Sequence, residues 1–110
     1  MSLQLLEQLQ QGQAQFSDVL AFIDAHYQHR PTAFKNGAQH NAATENQGSA
    51  KVFSFAQLEN LDPAQTLSLF AEHYQAVLAT PEGTDHQNIR QFMLNGWSGI
   101  EFEGAALTAK

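Results

Sequence analysis

The chain has 110 residues, 43% of them apolar and only 15% charged, and five Lys and Arg against eleven Asp and Glu leave a net charge of −6. That composition sets one globular domain over residues 1–110 and argues against nucleic acid or an anionic membrane as partner, since both need a basic surface to displace counterions. Without cysteine, disulfides, thiolate catalysis and sulfur-ligated zinc are excluded.

Ser2 caps a short segment in which Leu5, Leu6 and Leu9 share a face, and glutamines supply a neutral outer surface as far as Gly12. Fewer than about 12 residues seldom hold a helix without packing partners, so residues 1–15 read either as a weakly packed helix or as a partly ordered arm. Phe16 and Ser17 look like the staple and cap of a second helix running to Gln28, with Val19, Leu20, Ile23 and Tyr27 turned inward. His26 falls near the centre of that face, which suggests a core histidine bonded to a backbone carbonyl. Pro31 then turns the chain out of helical angles.

Thr32 to Ser49 is a long stretch without periodicity, and Asn36-Gly37 within it is a strong turn signal. Loops of this length are usually functional or poorly ordered; Phe34 anchors this one, and Thr32 to Phe34 reads as a short strand. Ser49 to Leu58 fits both strand alternation and helical spacing, and is read as a helix capped by Ser49. Asp62-Pro63-Ala64-Gln65 is a helix start with a capping box and proline at the first helical position. Leu67, Phe70, Tyr74, Val77 and Leu78 continue that helix to Ala79, with His73 at the border of its apolar face, solvated or locally bonded. Thr80 to Gly83 is the turn that folds the next helix back.

Thr84 to Trp97 is the stretch around which the chain is organised. Asp85 or Thr84 caps its helix, and Gly96 ends it in a left-handed conformation. At about 100° per residue, Ile89, Phe92 and Met93 share one face, bordered on one side by His86 and Arg90 and on the other by Asn88 and Asn95. Gly99 to Gly104 alternates apolar and acidic residues as an edge strand does, and the tail from 105 to 110 is expected to fray.

Phe34-Lys35-Asn36-Gly37, Asn46-Gln47-Gly48-Ser49-Ala50-Lys51-Val52-Phe53, Thr66-Leu67 with Phe70 and Tyr74, Gly83-Thr84-Asp85-His86 with Asn88-Ile89-Arg90 and Phe92-Met93, and Gly96-Trp97-Ser98-Gly99-Ile100 together resemble the HopJ type III effector family. The resemblance runs from Leu20 to Leu107. The family takes its name from proteins proposed to be injected into plant cells by pathogenic bacteria, and similar small proteins occur in bacteria with no evident host. It implies a small bacterial protein, cytoplasmic or translocated by type III secretion, with no biochemical activity attached. Ala50 stands where the family pattern often has cysteine, so no thiol acts at that position here.

The expected fold is mainly α: one compact domain of four to five helices, with a two-stranded ribbon joining Thr32–Phe34 to Ile100–Phe102. Its core is expected to hold Ile23, Phe34, Phe53, Phe55, Leu67, Phe70, Tyr74, Ile89, Phe92, Met93 and Trp97, with the long loop tied over the Asp85–Arg90 turn. Asn36, Asn46, Lys51, Asp85, His86, Asn88, Arg90 and Trp97 form the candidate ligand-binding or structural polar network. The first functional reading is an interaction protein that works on another protein. The alternative is a small anionic ligand at the N-terminus of the helix Asp85–Asn95, where free N–H groups attract negative charge and Arg90 and Lys51 add positive charge, although the Asp85 carboxylate would compete for those same N–H groups. No catalytic residue, cofactor or metal is expected, because no GxSxG, phosphate loop, dinucleotide fingerprint or HExxH occurs. Neither a membrane-spanning helix nor a signal peptide is read in the chain.

Overall fold

Gln47 to Leu58 forms the central helix of the molecule, a broad apolar arc with Lys51 and Ser54 on its other side. In this computed structural model, which describes residues 3–110, Ala50, Val52, Phe53, Phe55 and Ala56 of that helix are all buried. The adjacent buried pairs Val52–Phe53 and Phe55–Ala56 widen its apolar face, which is why its spacing matched strand and helix alike. Phe53 is the hub: its ring lies 5.3 Å from Phe70, 5.0 Å from Phe92, 6.2 Å from Phe34 and 6.3 Å from Trp97.

Around it the chain runs α1 (Leu3–Gln10), α2 (Phe16–His26), β1 (Tyr27–His29), β2 (Phe34–Asn36), β3 (Gln39–Asn41), the central helix as α3 (Gln47–Leu58), α4 (Pro63–Ser68), α5 (Glu72–Ala79), α6 (Gln87–Asn95), a 3₁₀ turn (Gly96–Gly99), β4 (Ile100–Phe102) and β5 (Leu107–Ala109). The described residues therefore hold six α-helices and two small antiparallel sheets, ordered β1-β5 and β3-β2-β4. The fold is α+β where the sequence pointed to mainly α, because three-residue strands carry too little alternation to register as a pattern.

Leu5 and Leu9 of α1 are buried against the domain, while Ser2 and the side chain of Leu6 lie outside what the structure describes. The long loop is a hairpin: β2 and β3 pair through Phe34↔Asn41 and Asn36↔Gln39, with Gly37 at φ +58 in the two-residue turn. The ribbon with β4 forms two residues further along than expected, Phe34 opposite Phe102 rather than Thr32 to Phe34 as the paired strand. A shift of two preserves which face is inward, so Phe34 stays in the core and stacks 5.0 Å from Phe102.

Four expectations are corrected. The tail is ordered: β5 pairs with β1, Tyr27 opposite Ala109, and Ala106 and Leu107 are buried. That pairing also ends α2 at His26, so His26 is exposed rather than central, its Nδ1 2.9 Å from the Phe22 carbonyl and its ring stacked on Phe22. The helix from Asp62 breaks between α4 and α5, where Ala71 takes φ 51 and ψ −122, and Leu69 and Phe70 are buried at the break. Met93 is 44% exposed, because α6 turns Asn88, Ile89 and Phe92 inward instead. The caps differ as well. Asn46 and His86, both left-handed, precede α3 and α6, and Ser49, Thr84 and Asp85 cap neither.

Candidate functional site

Asparagine carries a donor and an acceptor on one short side chain, so several of them can satisfy one another away from water. Three are buried here, from β2, β3 and α6: Asn36, Asn41 and Asn88. Asn36 Nδ2 donates to the Asn88 carbonyl at 2.7 Å and to Asn88 Oδ1 at 3.1 Å; Asn41 Nδ2 donates to the same Oδ1 at 3.2 Å, and Asn88 Nδ2 returns a bond to Asn41 Oδ1 at 3.0 Å. Asn46 closes the set with a 2.7 Å bond from its Nδ2 to Asn41 Oδ1. The loop is thus tied to α6 through Asn36, Asn46 and Asn88. Asn41 is the member that sequence reasoning left out, and nothing distinguishes it from its polar neighbours until β2 pairs with β3.

The other expected members part from this cluster. Arg90 is a clamp on the α5–α6 turn: Nε donates to the Asp85 carbonyl at 2.6 Å, Nη2 to Asp85 Oδ1 at 2.6 Å, and Nη1 to the Thr80 carbonyl at 2.8 Å. The hydrogen bond from Arg90 holds the Asp85 carboxyl below its ordinary range, with Coulombic attraction adding to it. Lys51 pairs with Asp24 at 2.9 Å across α2 and α3. Trp97 packs edge-on to Phe92 and donates its Nε1–H to the Leu61 carbonyl at 3.1 Å. None of Arg90, Asp85, Lys51 and Trp97 lines the pocket described next.

That pocket, about 330 Å3, opens beside the asparagine cluster. Asn46, Gly48 and Ser49 from the start of α3 line it, as do His86, Gln87 and Asn88 from the start of α6, His73 from α5, and Phe16 from α2. Neither α3 nor α6 has a side-chain cap, so the N–H groups of Gly48 and Ser49 and of Gln87 and Asn88, residues that line this space, have no protein acceptor among the described residues, while the Ile89 N–H donates to the His86 carbonyl at 3.0 Å. Asp85 would compete for the α6 groups, but it is turned away onto Arg90. By contrast, Glu72 from α5 takes the first N–H of α2, at Phe16, at 2.6 Å.

His73 and His86 stand with ring centroids 5.1 Å apart, and Phe16 meets His73 edge-on at 4.9 Å. No carboxylate and no Lys or Arg lines the pocket, so its field comes from two helix N-termini and two imidazoles. Two of the non-glycine residues with positive φ line it, Asn46 and His86 at the two helix starts, and a third, Ala71, precedes the helix that presents His73. Such backbone costs energy, and in folded proteins it collects at binding sites. His73 was read at sequence level as a bordering side chain; only the break at Ala71 aims α5 so that it meets His86.

The model of the family described as HopJ type III effector protein matches residues 3–107. The chain is also similar to a crystal structure of a protein of unknown function, VPA0580, with a TM-score of 0.91 and 46% sequence identity, covering 100% of this chain and 95% of that one. No curated protein matches it. Among the described residues, no helix is long and apolar enough to cross a membrane.

Proposed function

The chain belongs to the HopJ type III effector family, and from that premise we propose that it is a ligand-binding protein whose site is the pocket between the starts of α3 and α6, taking a small anionic group such as a phosphate or carboxylate. The observation that carries this reading is the pair of uncapped helix starts converging on one pocket that no carboxylate lines. Each start offers backbone N–H donors aimed at the same space, and the aligned peptide dipoles favour negative charge there. His73 and His86 add two imidazoles that donate to an anion when protonated. A pocket of this size holds a ligand of a few to a dozen heavy atoms.

Titrating phosphate into isotope-labelled protein tests it. The expected result is a saturable shift of the amide signals of Gly48, Ser49, Gln87 and Asn88, weakened in His73→Ala and His86→Ala. Unmoved amides at tens of millimolar phosphate, or shifts spread over the Arg90 clamp and Lys51 instead, would overturn the reading.

A partner protein is a second reading, supported by a different surface. Leu78, Met93 and Leu94 are 47%, 44% and 77% exposed and border one groove between α5 and α6 with Val77 and Pro81. A groove between two helices suits an amphipathic partner helix with anchors at i and i+4. Fluorescence polarisation with a panel of such peptides tests this: binding tighter than about 100 µM that is lost in Leu94→Gln supports it, and no binding at that level refutes it. Delivery by type III secretion is the transport route that the family suggests; a reporter fused after the first 20 or so residues that fails to reach the medium in a secretion-competent strain would exclude it.

A further inference from the structure

The pocket between the starts of α3 and α6 has a second wall, and it is aromatic. Phe16 from α2, His73 from α5 and His86 at the start of α6 form a row along it. Phe16 meets His73 edge-on at 4.9 Å, and the His73 and His86 rings lie 5.1 Å apart with planes tilted by 38°. Behind Phe16 the buried ring of Phe70 lies nearly parallel, at 10° and 5.8 Å. Backbone fixes the row as well: Glu72 of α5 takes the Phe16 N–H at 2.6 Å, which ties the start of α2 to the helix carrying His73. The Glu72 side of α5 borders a different cavity, with Leu9 and Tyr74.

This wall adjoins the backbone donors. A Cβ added at Gly48 would stand 3.6 Å from Cε2 and Cζ of Phe16, so the edge of that ring lies against the first turn of α3. A single ligand of about a dozen heavy atoms therefore reaches ring and donors together. Apart from the rings, Ile89 is the one large apolar side chain that lines the pocket among the described residues, so an alkyl chain finds little aliphatic surface to cover.

Resting on the anion reading above, we infer that the ligand is a small aromatic anion: a planar ring bearing one phosphate or carboxylate. Its ring lies against Phe16 and His73, and its head group takes the N–H groups of Gly48, Ser49, Gln87 and Asn88. Aromatic rings pair offset-stacked or edge-to-face over about 4.5–7 Å, and the row already shows both arrangements, so an incoming ring extends it. Phosphate suits the head-group position better than carboxylate, because its additional terminal oxygen lets it accept from both helix starts at once.

Calorimetric titration of the full chain with phenyl phosphate and with methyl phosphate tests this, with amide and aromatic NMR shifts recorded alongside. Phenyl phosphate is expected to bind about tenfold tighter than methyl phosphate, moving the ring signals of Phe16 and His73 together with the amides of Gly48 and Ser49. Phe16→Met should abolish that preference and leave the affinity for methyl phosphate unchanged. Circular dichroism screens the variant for folding; if it does not fold, His73→Gln replaces it, and there the loss for phenyl phosphate should exceed the loss for methyl phosphate. Equal affinities for the two phosphates, with the four amides still shifting, would overturn the aromatic specificity and leave the anion reading standing. Amides unmoved by either phosphate would overturn both. Benzoate, run beside them, separates the head groups: binding tighter than that of phenyl phosphate would overturn the preference for phosphate.

Discussion

Replacing Asn88 by alanine tests whether the asparagine cluster holds the hairpin to α6. The side chain is 6% exposed, and its removal deletes the bonds from Asn36 Nδ2 and Asn41 Nδ2 to its Oδ1 and the bond from its own Nδ2 to Asn41 Oδ1. Each partner keeps something: Asn36 Nδ2 still reaches the Asn88 carbonyl, Asn41 Oδ1 still receives Asn46, and Asn41 Nδ2 falls back on a long 3.3 Å bond to the Phe34 carbonyl. Counting about 1 kcal/mol per deleted bond, with more for Asn41 left poorly satisfied, the loss is about 3 kcal/mol. A domain of this kind is stable by only about 5–15 kcal/mol, so the effect is large. Urea denaturation followed by the fluorescence of Trp97, the only tryptophan, measures it, with the midpoint falling and the slope unchanged. In a double-mutant cycle with Asn41→Ala, a coupling energy of about 1 kcal/mol or more is expected, because the two side chains bond each other twice. A loss under about 0.5 kcal/mol, the ordinary range for a surface substitution, or a coupling near zero would refute the account.

Gly99→Ala is expected to lower the melting temperature, with a loss of about 1–3 kcal/mol, because a Cβ there would sit 2.9 Å from Asn95 Cβ and 3.1 Å from the Gly37 backbone nitrogen, neither of which can swing aside; an unchanged melt would contradict this packing. Ala71→Gly should stabilise by about 1 kcal/mol, the strain of a non-glycine residue at positive φ less the entropy that glycine loses on folding. A lower denaturation midpoint in that variant would mean the break between α4 and α5 is not strained. For Asp85 the sign follows from its depressed carboxyl: a group whose folded value is lowered contributes stability above its ordinary value of 3.8 and loses it as pH falls through the folded value. Wild type should therefore melt higher than Asp85→Asn at neutral pH, and the gap should close in acid below 3.8; a gap independent of pH would show that the Arg90 pair contributes nothing.

Local chemistry was enough to place much of this protein. Apolar spacing located the helical regions, Asp62-Pro63 and Gly96 marked a start and a stop, Asn36-Gly37 marked a turn, and the core aromatics Phe34, Phe53, Phe55, Phe70 and Phe92 were evident as apolar positions and are buried. Each of these rests on interactions within a few residues of chain, so the order of residues suffices to express it. What lay beyond reach depends on partners far away in sequence. Leu107–Ala109 is a strand only because Tyr27–His29 offers it hydrogen bonds, and α2 stops at His26 for the same reason. The run from Asp62 to Ala79 is one helix by propensity, yet in the fold it breaks at Ala71, with Leu69 and Phe70 packed into the core there. Asp85 is a good helix cap in isolation, yet its carboxylate pairs with Arg90 five residues on, a side chain that also reaches Thr80 of the preceding turn, and His86 takes the cap position instead. The pocket follows from these long-range choices together. His73, His86 and the starts of α3 and α6 meet there because folding closes segments dozens of residues apart, and no local pattern encodes that closure.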